Sequence, residues 1–482
     1  MNTIEEAIRD YSREMPTKAA VKGSGSTLSY ADLWKGIQAA AALYVSLPGY
    51  GRGKTVLLAA GKQIEFPIAY FGAHLAGLIV APVAEDINST RFDYICRSLS
   101  PFVLVGFNGA GTAIPAIPLS SFSCLPPLSG NPFSLPSTGD VADILFTTGT
   151  TGRPKCVPLT FANEFAAARQ INRFVRNEKD DVEVLALPVS HSFGLGRLRC
   201  CLFNGQTIVL LGSFANVKRL FRTIRDENAT GFTMVPASWK FLQKMSGNSL
   251  SEFAGQLKYI EMGSAFFSEA DKRELATLFP NTRVTMHYGL TEASRSAFME
   301  FHEDDAHLAS VGRASPGVEI AIFDSSGKRL AAGNEGEICV KGPHVTSGYL
   351  FDDNAGTFFG DFFRTGDCGL MTEDGYLYLR SRMKDMINVG GKKVAPDEVE
   401  EPMRSISGVT DCACVPAPDP AGVVGEVVKA FVVKEPDSSI TFDGIAAALA
   451  GKLEGYKVPV LWEWANAIPR THNGKIQRSL LQ

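Results

Sequence analysis

Residues Asp143 to Thr160 read DILFTTGTTGRPKCVPLT. The apolar approach Ile144-Leu145-Phe146 predicts a strand, and it runs into four threonines and two glycines within six residues, then into Arg153-Pro154-Lys155. A hydroxyl-rich, cationic loop fed by a strand is suited to holding phosphate. Gly149 and Gly152 allow close backbone approach, the hydroxyls and N–H groups of Thr147, Thr148, Thr150 and Thr151 donate hydrogen bonds, and Lys155 brings a point charge. The spacing differs from a Walker A loop, whose lysine follows its second glycine directly. Here Lys155 stands three residues beyond Gly152, which disfavours a P-loop kinase or GTPase. The competing reading of the stretch alone is a Gly/Thr surface turn.

At 482 residues the chain is too long for one ordinary core, so two or more domains are expected, one of them large. Hydrophobic residues at 45% with 20% charged are the proportions of a folded globular protein. A formal net charge of -4 gives no electrostatic reason to expect nucleic acid or an anionic membrane as partner, so any bound anion needs a local site. The N-terminal MNTIEEAIRDYSREMP mixes acids and bases at helical spacing rather than in signal-peptide order. The longest apolar run, Phe66 to Val83, contains Pro67 and His74 and predicts a buried helix and following strand rather than a membrane span. Nine cysteines without a CxxC pair are expected to be reduced, mostly buried thiols of a cytoplasmic protein.

Strand and helix alternate from Thr55 onward: Thr55 to Ala60 as a buried strand, Ile64 to Leu75 as a helix, and Leu78 to Val83 and Phe102 to Val105 as strands. This order predicts a layered α/β architecture. Ser29 is expected to cap a helix that follows it. Pro188 to Gly196, PVSHSFGLG, breaks regular structure and displays His191 and Phe193. Tyr259 to Met262 runs into Gly263-Ser264-Ala265, where small residues after a buried strand let a flat ring lie against backbone, unless this is an ordinary turn.

A second loaded stretch is Val284 to Arg295, VTMHYGLTEASR. Tyr288, Gly289, Thr291 and Glu292 offer a stacking face, room for a ligand, a phosphate donor and a Mg²⁺ ligand. Short alternating strands with Gly-rich turns follow and predict a β-rich subdomain. In Arg364-Thr365-Gly366-Asp367, the carboxylate can accept hydrogen bonds from a ribose diol or merely cap a turn. Near Arg382 the strand pattern yields to charges and a double glycine, so the boundary is set there, giving domains 1–381 and 382–482. The second is expected to be a small α+β unit whose tail, PRTHNGKIQR, carries Lys475 just after a glycine turn.

Taken together and in order, TTGTTGRPK, YGLTE, RTGD, the RxKD before a double glycine, and PRTxxGK resemble the adenylate-forming superfamily of acyl-CoA synthetases, peptide-synthetase adenylation domains and beetle luciferases. The resemblance implies an α/β protein: a large N-terminal multi-sheet domain with a β-rich subdomain, then a small mobile α+β C-terminal domain, as monomer or homodimer. It also implies a two-step reaction. A carboxylate attacks the α-phosphate of Mg-ATP to give acyl-AMP and pyrophosphate, and a thiol then takes the acyl group and expels AMP. By the same resemblance the loop threonines 147, 148, 150 and 151 and Lys155 line the β and γ phosphates, Thr291 meets the α-phosphate and Glu292 holds Mg²⁺. Tyr288 stacks on adenine beside Gly263, Ser264 and Ala265, and Asp367 with Arg382 binds the ribose. Lys475 matches the catalytic lysine, Lys384 the hinge position, and Gly390-Gly391 the thiol channel. One departure is Met286, standing where the family usually has a polar side chain that reads the adenine amine.

The acid is expected to carry an uncharged acyl group, because PVSHSFGLG lacks the aspartate with which amino-acid-activating relatives pair an ammonium. His191, Phe193, Gly194 and Gly289 are expected to shape the acyl pocket. Coenzyme A is the favoured acceptor, with an acyl carrier protein as the alternative because both present a pantetheine thiol. A non-catalytic acyl or nucleotide sensor is disfavoured by the intact Lys475, Glu292, Asp367 and Lys155, and a luciferase-like oxidase by the lack of any marked oxygen pocket.

Overall fold

The computed structural model describes residues 1–107, 113–126, 128, 130, 132–147, 154–382, 385–389, 392–421, 425–471 and 474–481. They form two compact units. The first comprises Met1–Leu308, Gly312–Glu319 and Val340–Phe363, the second Ala309–Val311, Ile320–Cys339 and Arg364–Gln482.

In the first unit, Thr55–Ala60 runs parallel to Ile79–Ala84 and Val103–Val105 within a six-stranded sheet. Every residue of Thr55–Ala60 is buried, which is why TVLLAA is apolar throughout instead of alternating. The connecting helix Glu65–Leu75 is likewise buried from Phe66 to Leu75, so the long apolar run is core. Val141–Thr147 pairs in parallel with Ile79–Ala84 and antiparallel with Lys155–Thr160. Thr147 and Lys155 are the last register partners of this antiparallel pair. Lys155–Thr160 lies at the edge of the sheet, where Pro158 costs no ladder hydrogen bond. That proline hides the strand from a pattern reading.

A nine-stranded sheet belongs to the same unit. Its parallel centre includes Val182–Leu185, Gly231–Met234, Tyr259–Met262 and Arg283–Tyr288, flanked by antiparallel Ala297–Glu300. Open α/β sheets bind ligands beyond the carboxyl ends of such strands. Gly263 and Gly289 stand at two adjacent carboxyl ends, since Met262 and Met286 are register partners. The helix Tyr30–Ser46 starts as expected: Ser29 Oγ accepts from the Asp32 N–H at 3.1 Å, and the Asp32 carboxylate reaches back in a capping box.

The irregular stretch expected over 188–196 is cut short by the helix Ser192–Phe203. Two glycines and two arginines obscure its helical pattern, yet Phe193 to Leu202 are all buried, Arg197 and Arg199 among them. Ion pairs make this possible: Arg197 meets Glu183 and Glu261, and Arg199 meets Asp143, with the Glu164 carboxyl 2.8 Å from the same guanidinium.

The second unit takes in most of a sheet built from Glu319–Phe323, Gly336–Lys341, Phe362–Met371 and Leu377–Arg382. Through this strand pairing the unit gathers Ile320–Cys339 with the continuous stretch Arg364–Gln482. Beyond it lie the hairpin Ile387–Val389 and Lys392–Val394, the helices Pro396–Arg404 and Phe442–Ala450, and a sheet of Val409–Pro418, Glu426–Lys434 and Leu461–Trp464. Val399, Met403, Val428, Val432, Ile445 and Leu449 fill its α+β core. Among the described residues no helix is long and apolar enough to cross a membrane. All nine cysteines are free thiols, seven of them buried.

Candidate functional site

Thr148, Gly149, Thr150, Thr151, Gly152, Lys384, Gly390 and Gly391 lie outside the described residues. Of the expected phosphate loop, the structure describes its two strand ends. Thr147 is half-buried, and Lys155 holds its Nζ 4.0 Å from the centre of the Tyr349 ring, a cation–π contact. Burial pushes the neighbouring Cys156 thiol up to about 11, so it is not a ready nucleophile.

The 289–295 loop leaves the carboxyl end of Arg283–Tyr288 in a tight turn closed by Leu290 and Ala293. Thr291 Oγ1 lies 3.5 Å from Ser192 Oγ, joining this loop to the start of the Ser192–Phe203 helix. Both residues line a narrow cavity with Glu164, Arg199, Arg295 and His344. Glu292 is only 6% exposed, and its Oε1 accepts from the Tyr349 hydroxyl at 2.8 Å. One tyrosine that the sequence reading passed over thus touches both the lysine and the carboxylate that it singled out. No periodicity marks it; only pairing between distant segments does.

Mg²⁺ is held by one or two carboxylates together with substrate phosphates and water, unlike metals caged entirely by protein. The donor set here fits that description. Glu292 supplies one ordered carboxylate.

Tyr288 closes its strand and is buried, as is Gly263, while Ser264 and Ala265 are half-buried. Ser264 has a φ of +73, a left-handed conformation that turns the chain just beyond the strand. A Cβ on Gly263 would lie 2.1 Å from His287 Cε1, so an imidazole already fills the space beside it. Met286 is buried in its strand between Met262 and Met299 as register neighbours.

Phe193 is buried. Its ring meets His287 edge-on at 4.6 Å, and the Arg295 guanidinium lies 4.8 Å over it. Gly194 and Gly289 have their side-chain space taken by the chain itself: a Cβ would fall 2.2 Å from the Pro188 carbonyl oxygen and 2.4 Å from the Arg295 nitrogen. Close packing of the chain is what requires glycine at both positions. His191, half-buried at the helix start, accepts on its carbonyl from the Leu195 N–H at 3.0 Å.

Behind these groups lies a buried charge network. Glu261 Oε1 sits 2.7 Å from His287 Nδ1 and 3.2 Å from Arg295 Nε, and its Oε2 is 3.1 Å from Arg197 Nη1. Burial pushes the Glu261 carboxyl up, but Arg295, Arg197 and His287 outweigh it and hold it well below the usual carboxylate range. Burial lowers His287 and outweighs the pull of Glu261, so the ring favours its neutral form.

In the second unit Asp367 and Arg382 are direct register partners across antiparallel strands, and Asp367 is buried. The Asp367 N–H donates to Thr365 Oγ1 at 3.0 Å, and Gly366, at φ +70, turns the backbone there. Lys475 is exposed on a turn in which its own N–H donates to Thr471 Oγ1 at 3.2 Å and its carbonyl accepts from the Thr471 N–H at 2.7 Å. The tail is anchored, since Arg470 grips Asp411 through both carboxylate oxygens and Arg478 meets Asp397 and Glu400.

The fold and these residues define a two-unit α/β protein with a cation, hydroxyls and a carboxylate gathered at the carboxyl ends of parallel strands. The model of the AMP-binding enzymes matches residues 8–350, and that of their C-terminal domain matches residues 398–475. The chain belongs to this family, the adenylate-forming superfamily of acyl-CoA synthetase type. It is similar to an oxalate–CoA ligase of Arabidopsis thaliana, 29% identical over 510 residues that span 100% of this chain and 98% of the relative. A 2-succinylbenzoate–CoA ligase of Staphylococcus aureus is 32% identical over 345 residues, 71% of this chain and 67% of that one. ATP-bound MatB from Rhodopseudomonas palustris superposes with a TM-score of 0.91 at 26% identity, covering 99% of this chain and 98% of its own. The MenE structure from Bacillus subtilis with the acyl-adenylate OSB-AMP shares the fold at a TM-score of 0.89 and 22% identity.

Proposed function

We propose that this protein joins a carboxylic acid to ATP as an acyl-AMP and then passes the acyl group to the thiol of coenzyme A. The observation that carries this reading is the grouping of Lys155, Tyr349 and Glu292 beside the strand end at Thr147. A triphosphate brings negative charge and a divalent cation together, and a lysine beside a single ordered carboxylate answers both. The family membership supports the same chemistry.

On this reading Thr147, Thr148, Gly149, Thr150, Thr151, Gly152 and Lys155 hold the β and γ phosphates, and Thr291 donates to the α-phosphate. Glu292 holds Mg²⁺, which screens the phosphoryl charge when bound. Tyr288 stacks on adenine along Gly263, Ser264, Ala265 and Gly289, and Asp367 with Arg382 takes the ribose hydroxyls. Lys475 neutralises the charge between carboxylate and α-phosphate in the first step, Lys384 is the hinge on which the C-terminal domain turns, and Gly390-Gly391 admits the thiol. The acid end is bounded by His191 and by the backbone at Gly194 and Gly289, with Phe193 as the packed wall behind. An α-amino acid is disfavoured, because PVSHSFGLG lacks an aspartate to pair an ammonium; the two relatives named above bear the names of oxalate and 2-succinylbenzoate. CoA is favoured over a carrier protein because those relatives are CoA ligases.

A panel of carboxylic acids incubated with ATP and Mg²⁺, read by pyrophosphate release with and without CoA, tests the proposal. Acid-dependent pyrophosphate release, with thioester formed only when CoA is present, is the expected result. Nucleotide binding without acid-dependent pyrophosphate release across the panel overturns it.

A further inference from the structure

Tyr349 lies in the segment 345–350, which is tied to the elements on either side. Thr346 Oγ1 donates to the Pro158 carbonyl at 2.6 Å, and the Leu350 N–H donates to the Cys156 carbonyl at 2.9 Å, fixing the segment to the strand that carries Lys155. The Thr346 N–H donates to the Glu292 carbonyl at 2.9 Å, fixing it equally to the loop that carries the carboxylate. Tyr349 itself is clamped by Asn354, whose Oδ1 accepts from the Tyr349 N–H at 2.8 Å and whose Nδ2 donates to the Tyr349 carbonyl at 2.9 Å. A side chain held this firmly on its backbone can fix other groups in turn.

We infer that Tyr349 is a positioning residue that sets the loop lysine and the metal-binding carboxylate together before the nucleotide arrives. The two ends of the side chain do separate work. The hydroxyl donates to Glu292 Oε1 and orients the carboxylate, leaving its other oxygen for a cation, while the ring face receives the Lys155 ammonium. A phenol gives Glu292 a partner without cancelling its charge, and a ring face gives Lys155 one without removing its positive charge. A carboxylate in place of the tyrosine would neutralise the lysine, and an aliphatic side chain would leave both groups to rotate. The inference rests on the proposed function for the roles of Lys155 and Glu292, and goes beyond it in giving Tyr349 control over both.

Tyr349→Phe removes the hydroxyl alone, and Tyr349→Leu removes hydroxyl and ring face. In pyrophosphate exchange with a substrate acid, Tyr349→Phe is expected to raise the Mg²⁺ concentration for half-maximal rate about tenfold, the worth of a hydrogen bond to a charged group. Its KM for ATP at saturating Mg²⁺ should change little. Tyr349→Leu is expected to add a rise of about threefold in that KM, the worth of a partly exposed cation–π contact. Asn354→Ala, which loosens the tyrosine and touches neither partner, should shift the Mg²⁺ requirement in the same direction. A purely structural role would lower thermal stability and kcat while leaving the Mg²⁺ requirement at its wild-type value. Glu292→Gln separates the two levels of the argument. If it leaves the Mg²⁺ requirement unchanged, the metal assignment fails and the inference falls with it. If it raises the requirement and Tyr349→Phe does not, the inference alone is overturned.

Discussion

His287 occupies the space in which Gly263 would carry a side chain: a Cβ there would fall 2.1 Å from the ring. Gly263 follows the strand Tyr259–Met262 and His287 lies in the neighbouring parallel strand Arg283–Tyr288, where the ring is in turn held between Glu261 and Phe193. Gly263→Ala forces the imidazole off both partners. Overpacking of this kind costs about 2 kcal/mol. A matching loss in urea unfolding and weaker ATP binding by calorimetry are expected; wild-type values in both would show that the ring yields freely.

Arg197 is fully buried between Glu183 and Glu261. Both carboxylates raise its guanidinium well above the ordinary range despite the opposing effect of burial. Arg197→Met leaves Glu183 charged without its main partner, a defect of about 3–5 kcal/mol. Arg197→Met/Glu183→Gln should recover much of that loss, because the uncompensated charge is gone. Denaturant melts of the single and double variants check this, and equal losses would refute the account.

Acid should weaken the first unit through His344, a buried residue whose Nε2 lies 3.1 Å from Ser296 Oγ. Burial lowers its imidazole from 6.5 to about 4. Between those values the unfolded chain binds the proton and the folded chain does not, so stability falls as pH drops. The full loss is about 3 kcal/mol. Glu164 acts with the opposite sign. Burial, and then Glu5, raises its carboxyl well above 4.5, so the stability it contributes is present in acid and lost as pH rises through that higher value. Thermal melts from about pH 4 to about pH 8 should show His344→Gln flattening the acid limb and Glu164→Gln removing the opposing slope. An unchanged acid limb in His344→Gln would assign the effect elsewhere.

Lys475→Ala is expected to abolish acyl-AMP formation while still converting supplied acyl-AMP to thioester, because its charge serves only the step in which two anions meet. Half-reactions measured separately decide this. Loss of both together would refute the assigned role.

The alternation of strand and helix from Thr55, the helix cap at Ser29 and the core strand Tyr259–Met262 were legible from residue type and period. These are local signals, carried within one segment. The buried helix Ser192–Phe203 was not, because Arg197 and Arg199 imply an exposed face until the carboxylates that neutralise them are located. That Gly194 and Gly289 are required by close approach of the Pro188 carbonyl and the Arg295 backbone was visible only in the packing.

By itself the sequence determined the family, through five ordered motifs, and the candidate chemistry of Lys155, Glu292, Asp367 and Lys475. The tertiary structure alone decided that Thr147 and Lys155 are register partners, that Asp367 and Arg382 are strand partners, and that Tyr349 reaches Glu292 from 57 residues away. The reason is physical. Backbone propensity and side-chain period act over a few neighbours and leave a trace in the chain, whereas pairing between distant segments follows from how sheets and loops pack.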